Sequence, residues 1–261
     1  MKIGAMNNPT CNLQKEIQWI GENGFDFIDL TLEPPSALAI SVDIDMVREL
    51  VDKYNLDIIG HTAYYLPIAS PYQSFCDLAQ DELRKCFEVF QALDVRKVNI
   101  HADESIVGIF NKDRSIIRNI RAIKIAAEEA KRRGLKLIVE NTIKLFNSVE
   151  ELHVLFDAID DIGFHLDVGH ANLNTEKNKT EEFIVEFHDR LEHVHFSDNK
   201  GGNTDLHLPL GAGLISWEKV ISVLKKFNYD GTITLEVFSR DKRYLLASRD
   251  KVLEIWNDDN E

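Results

Sequence analysis

Positive charge is scarce in this chain. Across 261 residues, 30 Lys and Arg stand against 44 Asp and Glu, a formal net charge of −14. That sign repels phosphate backbones and argues against nucleic acid as a partner, unless bound metal ions invert the local field. Cysteine is scarce too. Cys11, Cys76 and Cys86 are an odd set without paired spacing, which reads as three reduced thiols in a cytoplasmic protein. No apolar run approaches the length of a membrane span, and the opening MKIGAMNNPT lacks the apolar core of a signal peptide. The expected protein is cytoplasmic, with no membrane partner. No strand-like run leads into a GxGxxG turn, so the dinucleotide-binding signature is missing. No linker, low-complexity segment or repeat divides the chain, and residues 1–261 read as one domain.

What is present is a strict alternation. The hydrophobic share of 44% is enough for a sizeable core. Short β-branched runs fall at Lys2–Met6, Phe27–Leu32, Asp57–Ala63, Lys97–Ala102, Lys136–Asn141, Gly163–Val168, Glu192–Phe196 and Thr232–Val237. Amphipathic stretches lie between them. Ile17 and Ile20 mark one face of Leu13–Asn23, and Ile116, Ile120, Ile123 and Ala127 mark one face of Ile116–Arg133. Asp43, Asp113, Ser148 and Ser216 read as N-caps, with Ser148 and Glu151 forming a capping box. Gly24, Gly134 and Gly231 read as stop signals, and Trp256–Glu261 as a frayed acidic tail. Eight strands alternating with eight helices imply parallel strands and right-handed crossovers. The fold expected is a single (β/α)8 TIM barrel, with a doubly wound open sheet as the competing architecture.

Metal-ligand-type residues close six of these strands or their loops: His61, His101, Glu140, Asp167, His170, His195, Asp205, His207 and Glu236. Strand ends are where such a barrel places its active site, and these side chains hold zinc, manganese or magnesium. Glu140 ends the apolar run KLIVE, where a carboxylate is costly to bury unless it is paired or bound to a metal. In GFHLDVGHA, Asp167 and His170 stand three apart across a strand end. In DLHLPLGAG, Asp205 and His207 precede tight turns at Pro209, Gly211 and Gly213. Of the remaining histidines, His165 reads as a satisfied core residue. His153 and His188 read as surface residues on helices, and His193 carries no comparable case. Trp19, Tyr64, Tyr65, Phe110, Phe146 and Trp217 are pocket candidates by loop position alone.

The motifs HTAYYLPIASP, NIHAD, VEN, LDVGHA, HVHFSD, DLHLPLGAG and TLE together resemble the xylose isomerase-like barrel superfamily over essentially the whole chain. Within it, the chain is similar to the sugar phosphate isomerase/epimerase group, which is related to endonuclease IV. The resemblance implies a metal-dependent isomerase or epimerase acting on a sugar or sugar phosphate. Glu140, Asp167, His195 and Glu236 would hold one divalent ion. Glu140 and Glu236 would exchange a proton through an enediolate, and His170 would contact a substrate hydroxyl. Lys200 and Arg240, in the loops after strands seven and eight, are expected to meet a phosphate if the substrate has one.

The resemblance also implies an alternative, a trinuclear-zinc phosphodiesterase or abasic-site endonuclease. His61, His101 and Glu140 would then hold a first ion and the four residues above a second, with Glu140 bridging. His170, Asp205 and His207 would hold a third, and Tyr64 would match a further motif residue on the substrate side. Against it stand the loop EPPSALAISVD, which has no Lys or Arg, and the loop NTIKLFNS, which lacks a glycine-rich turn. The cofactor expected is therefore zinc or manganese, one to three ions. The expected partner is a small sugar-like substrate, and relatives suggest a homo-oligomer.

Overall fold

In the computed structural model, which describes residues 1–258, the alternation closes on itself. The strands are β1 (Lys2–Met6), β2 (Phe27–Leu32), β3 (Asp57–Thr62), β4 (Lys97–Ile100), β5 (Lys136–Glu140), β6 (Gly163–Asp167), β7 (Leu191–Phe196) and β8 (Thr232–Leu235). They pair in sequence order, all parallel, and β8 returns to β1. The helices are α1 (Leu13–Glu22), α2 (Ile44–Tyr54), α3 (Gln73–Ala92), α4 (Lys112–Arg132), α5 (Val149–Ala158), α6 (Thr180–Phe187), α7 (Trp217–Lys226) and α8 (Arg243–Asn257). This is a single (β/α)8 TIM barrel, and the open sheet is excluded. Among the described residues no helix is long and apolar enough to cross a membrane.

Five strands end one or two residues before the boundary read from the sequence, at Thr62, Ile100, Glu140, Asp167 and Leu235. At this rim the backbone turns into loops and side chains take over the pairing. Asn141 is the clearest case. Its Nδ2 donates to the Asp167 carbonyl at 3.0 Å, and its Oδ1 accepts from the Asp167 amide at 2.8 Å. The side chain thus extends the β5–β6 ladder by one rung.

Helix boundaries follow capping chemistry. Asp43 accepts from the Met46 amide at 3.0 Å, and Ser148 from the Glu151 amide at 3.4 Å. Ser216 holds its cap position without a side-chain bond. Asp113 is not a cap. Asn111 caps α4 instead, accepting from the Arg114 amide at 3.0 Å, and Asp113 falls in the first turn. The buried stripe of α4 is also rotated from the expected one. Ile116, Asn119, Ile123, Ala126 and Ala130 are buried, while Ile120 and Ala127 only flank the core. After α7 the left-handed residue is Asn228 rather than Gly231. Trp256 and Asn257 are not frayed but complete α8; Asp259–Glu261 of the expected tail lie outside the described residues.

The loop from β7 to α7 is built on one buried carboxylate, Asp198. It accepts from the amides of Asn199, Gly211 and Ile215 and from the indole Nε1 of Trp217, at 2.8–3.3 Å. Its own backbone exchanges two hydrogen bonds with Leu208. Gly211 takes φ +89°, and a Cβ on Gly213 would stand 2.2 Å from an Asp198 oxygen. Between these anchors hang Asp205 and His207. Replacing Asp198 with Ala would leave several buried donors unpartnered at once. We predict that Asp198→Ala loses about 3 kcal/mol of stability in denaturant unfolding, at the upper end of single-residue effects. A loss below about 0.5 kcal/mol would show that the loop does not depend on it.

Candidate metal centre

The nine ligand-type residues converge at the carboxyl end of the barrel. Glu140 and Asp167 are the last residues of β5 and β6, and His195 is the penultimate residue of β7. His61 lies in β3; His101 and Glu236 lie one residue past β4 and β8. His61, His101, His170, Asp205, His207 and Glu236 line a cavity of about 650 Å³. Beneath it Glu140, Asp167 and His195 are buried.

Asp167 divides its two oxygens. Oδ1 accepts from the His170 amide at 2.7 Å, forming the turn that follows β6; this is what the three-residue spacing of DVGH encodes. Among the described residues Oδ2 is buried without a hydrogen-bond partner. His195 is divided in the same way. Its Nε2 bonds Asp29 Oδ2 at 2.8 Å, so this nitrogen carries a proton and Nδ1 is the one turned toward the carboxylates. Nδ1 is also buried and unpartnered. It lies 3.8 Å from Asp167 Oδ2 and 3.3 Å from Glu236 Oε2. Asp167, His195 and Glu236 each offer a ligand atom within 4.8 Å of the others, and so do Glu140, Asp167 and His170. Lone pairs buried and converging in this way fit a divalent cation, which repays their desolvation.

A second set adjoins the first. His101 Nε2 is 3.0 Å from Glu140 Oε2 and 3.3 Å from His61 Nε2, and the three residues again meet the 4.8 Å spacing. Asp205 Oδ2 lies 3.1 Å from His170 Nε2 and 2.9 Å from His207 Nε2, so it bridges the two rings. His207 holds this place at a left-handed φ of 43°, a strained conformation for a non-glycine residue.

The electrostatics separate the groups. Burial pushes the Asp167 carboxyl up to about 7, against the pull of His170. Burial pushes His61 down to about 4. Burial also opposes the charge on Glu140, yet the facing His101 and His165 hold its carboxyl well below the usual range. For His207 the neighbouring Glu236 and Asp205 outweigh burial and raise it to about 9.

Several residues that build the site carry no signal at strand ends. Asp29, in the middle of β2, is fully buried and accepts from His195, His193 and Thr234. Asn99 in β4 donates to Glu140 Oε2 at 2.6 Å. His165 is buried as expected but is not satisfied. Neither ring nitrogen has a hydrogen-bond partner, and Nδ1 faces Glu140 Oε2 at 3.2 Å. His153 and His188 are exposed, as read. Tyr64 and Tyr65 line the cavity. Phe146 and Trp217 are core residues, Phe110 packs under Arg118, and Trp19 under Lys242. Lys200 is exposed and does not line the cavity; Arg240 lines an adjoining pocket of about 240 Å³.

Comparison with known proteins agrees with this architecture. Residues 17–255 match the family model described as xylose isomerase-like TIM barrel. The crystal structure of a D-tagatose 3-epimerase-like protein superimposes with a TM-score of 0.85 at 26% identity, covering 98% of each chain. The L-ribulose 3-epimerase of Methylomonas sp. (strain DH-1) is 23% identical over 87% of this chain and 79% of that protein. A probable endonuclease 4 of Thermotoga petrophila is 24% identical over 76% of each.

The Asp29–His195 bond fixes the ring so that Nδ1 faces the carboxylates. We predict that Asp29→Asn weakens zinc binding about 10- to 100-fold, as competition with a chelator would measure, because the partners of metal-bound histidines set ligand orientation and basicity. Unchanged affinity would separate Asp29 from the metal centre.

Proposed function

The chain belongs to the xylose isomerase-like TIM barrel family, and on that premise we propose that it is a divalent-metal-dependent epimerase of free ketoses. The observation that carries this is the pair of buried, unpartnered atoms Asp167 Oδ2 and His195 Nδ1, flanked by Glu140 and Glu236. These four residues would hold the ion. Zinc or manganese bound there would polarise a substrate carbonyl and the adjacent hydroxyl, acidifying the carbon-bound proton between them. The protein supplies the proton traffic. Glu140 closes β5 and Glu236 follows β8, three strands apart in a closed ring of eight, so they approach a bound carbon from different walls. One carboxylate removes the proton on its side, the electron pair passes into the carbonyl as an enediolate, and the other returns a proton to the opposite face. Asn99 keeps Glu140 oriented through its 2.6 Å bond. His170, tied to Asp205 and to the Asn141 carbonyl, presents its ring edge to the substrate.

The substrate is read as unphosphorylated. Among the described residues neither Lys nor Arg lines the cavity, whereas Glu33, Asp103, Glu104, Asp205 and Glu236 do. A phosphate there would face carboxylates with no guanidinium or ammonium to receive it.

A second reading rests on the adjoining set His61, His101 and Glu140 and on the similarity to a probable endonuclease 4. It makes the chain a multinuclear phosphodiesterase. The acidic cavity and the net charge of −14 weigh against it. Nicking of an abasic duplex with zinc present would favour this reading over the first.

The epimerase reading predicts that the metal-loaded enzyme places solvent deuterium on the epimerised carbon of a ketose such as D-tagatose or L-ribulose. Glu140→Gln and Glu236→Gln should each slow that exchange roughly 10²- to 10⁴-fold. Full exchange in either variant would remove that carboxylate from the proton path.

A further inference from the structure

Resting on that reading, we propose that Glu33 selects the substrate, its carboxylate accepting hydrogen bonds from hydroxyls at the end of the ketose remote from the metal ligands. Glu33 directly follows β2 and lines the cavity, half-buried, beside Tyr65. In the ring of eight strands β2 stands four places from β6, which ends in Asp167. A chain of five or six carbons held at the β5–β8 rim therefore extends toward it.

The other carboxylates lining the cavity are engaged with the scaffold or with histidines, though Asp205 keeps Oδ1 buried and without a hydrogen-bond partner among the described residues. Asp103 accepts from the amides of Ala69 and Ser105. Glu104 accepts from the Thr142 hydroxyl and from the amides of Lys144 and Leu145, joining the loops after β4 and β5. Asp205 lies between His170 and His207, and Glu236 faces His195 and His207. Glu33 differs. Among the described residues its carboxylate has one hydrogen-bond partner, the Thr31 hydroxyl at 3.2 Å from Oε1, and no ion pair. Burial pushes its carboxyl up, Thr31 and His101 draw it back, and Glu236 adds to the rise.

A half-buried carboxylate with a free oxygen and no ion pair among the described residues is matched by a polyol. Neighbouring hydroxyls donate into its lone pairs, and such charge-assisted bonds are roughly twice as strong as neutral ones. Tyr64, Tyr65 and Phe238 supply apolar surface around it for the sugar's C–H face. The same carboxylate repels a phosphate on that end of the chain.

The test uses the zinc-loaded wild type, Glu33→Gln and Glu33→Asp. It measures kcat and KM for D-tagatose and 6-deoxy-D-tagatose by deuterium incorporation, and ketose binding by saturation-transfer NMR. Unchanged zinc content and thermal midpoint certify the fold of each variant. Glu33→Gln should raise KM for D-tagatose roughly 10- to 100-fold, the size expected for a lost charged hydrogen bond, with kcat within about threefold. The increase should shrink for the deoxy analogue, which lacks a hydroxyl to lose, and Glu33→Asp should fall between. Unchanged KM in Glu33→Gln, or an equal increase for both sugars, overturns the proposal. Should Glu33→Gln not fold, Glu33→Asp alone decides, an unchanged KM again overturning it. A wild type that binds D-tagatose without exchanging deuterium counts against the epimerase reading alone. Loss of that binding in Glu33→Gln would then support the assignment, and its retention would overturn it. A wild type that binds no ketose overturns it directly.

Discussion

The hydrogen bond from His195 Nε2 to Asp29 is the contact on which the centre turns. A buried histidine beside carboxylates can point either nitrogen at them, and protonated it simply becomes their counter-ion. Asp29 fixes the ring by taking Nε2, so that Nδ1 faces Asp167 and Glu236. Burial opposes charge on the ring, but Glu236 and Asp29 hold its pKa well above the usual histidine value, and a bound cation would take the place of the Nδ1 proton. Burial makes the arrangement costly without a cation, because Asp167 Oδ2 and His195 Nδ1 are both left unpartnered in the barrel mouth. The same logic recurs around it. Asp167 gives one oxygen to the turn at His170, and Asn99 holds Glu140 in place. His195, Asp167 and Glu140 each have one side bound by the scaffold.

This construction accounts for the acid balance of the cavity. Four carboxylates and five histidines form the centre, and among the described residues no Lys or Arg lines the space above it. Positive charge at the site comes from histidines held charged by their neighbours, as at His207, and from whatever cation the ligands bind. On the proposed reading the substrate is neutral and rich in hydroxyls. Asp198 serves the same end at a distance, since its four accepted hydrogen bonds shape the loop that carries Asp205 and His207.

The barrel and the convergence of ligand-type residues at its mouth were legible in the sequence for one reason. A His, Asp or Glu that closes an apolar β-branched run is conspicuous, and eight such runs alternate with helical segments. Asp29 was not legible because it sits inside β2, where its neighbours explain it as one polar residue in a strand. Its partner His195 is 166 residues away and becomes visible only when the barrel closes. Asn99 and Asn141 were hidden in the same way. The α4 cap passed to Asn111 because its side-chain Oδ1, two residues before Asp113, reaches the Arg114 amide. His165 looked like a satisfied core residue, since sequence gives burial more readily than it gives hydrogen-bond partners.

The most direct test of the central claim is anomalous diffraction at the zinc edge from crystals of the metal-loaded protein. The account predicts a peak about 2.1 Å from both Asp167 Oδ2 and His195 Nδ1, with Glu140 and Glu236 completing the shell. A peak that avoids these atoms, or none at all, would contradict it.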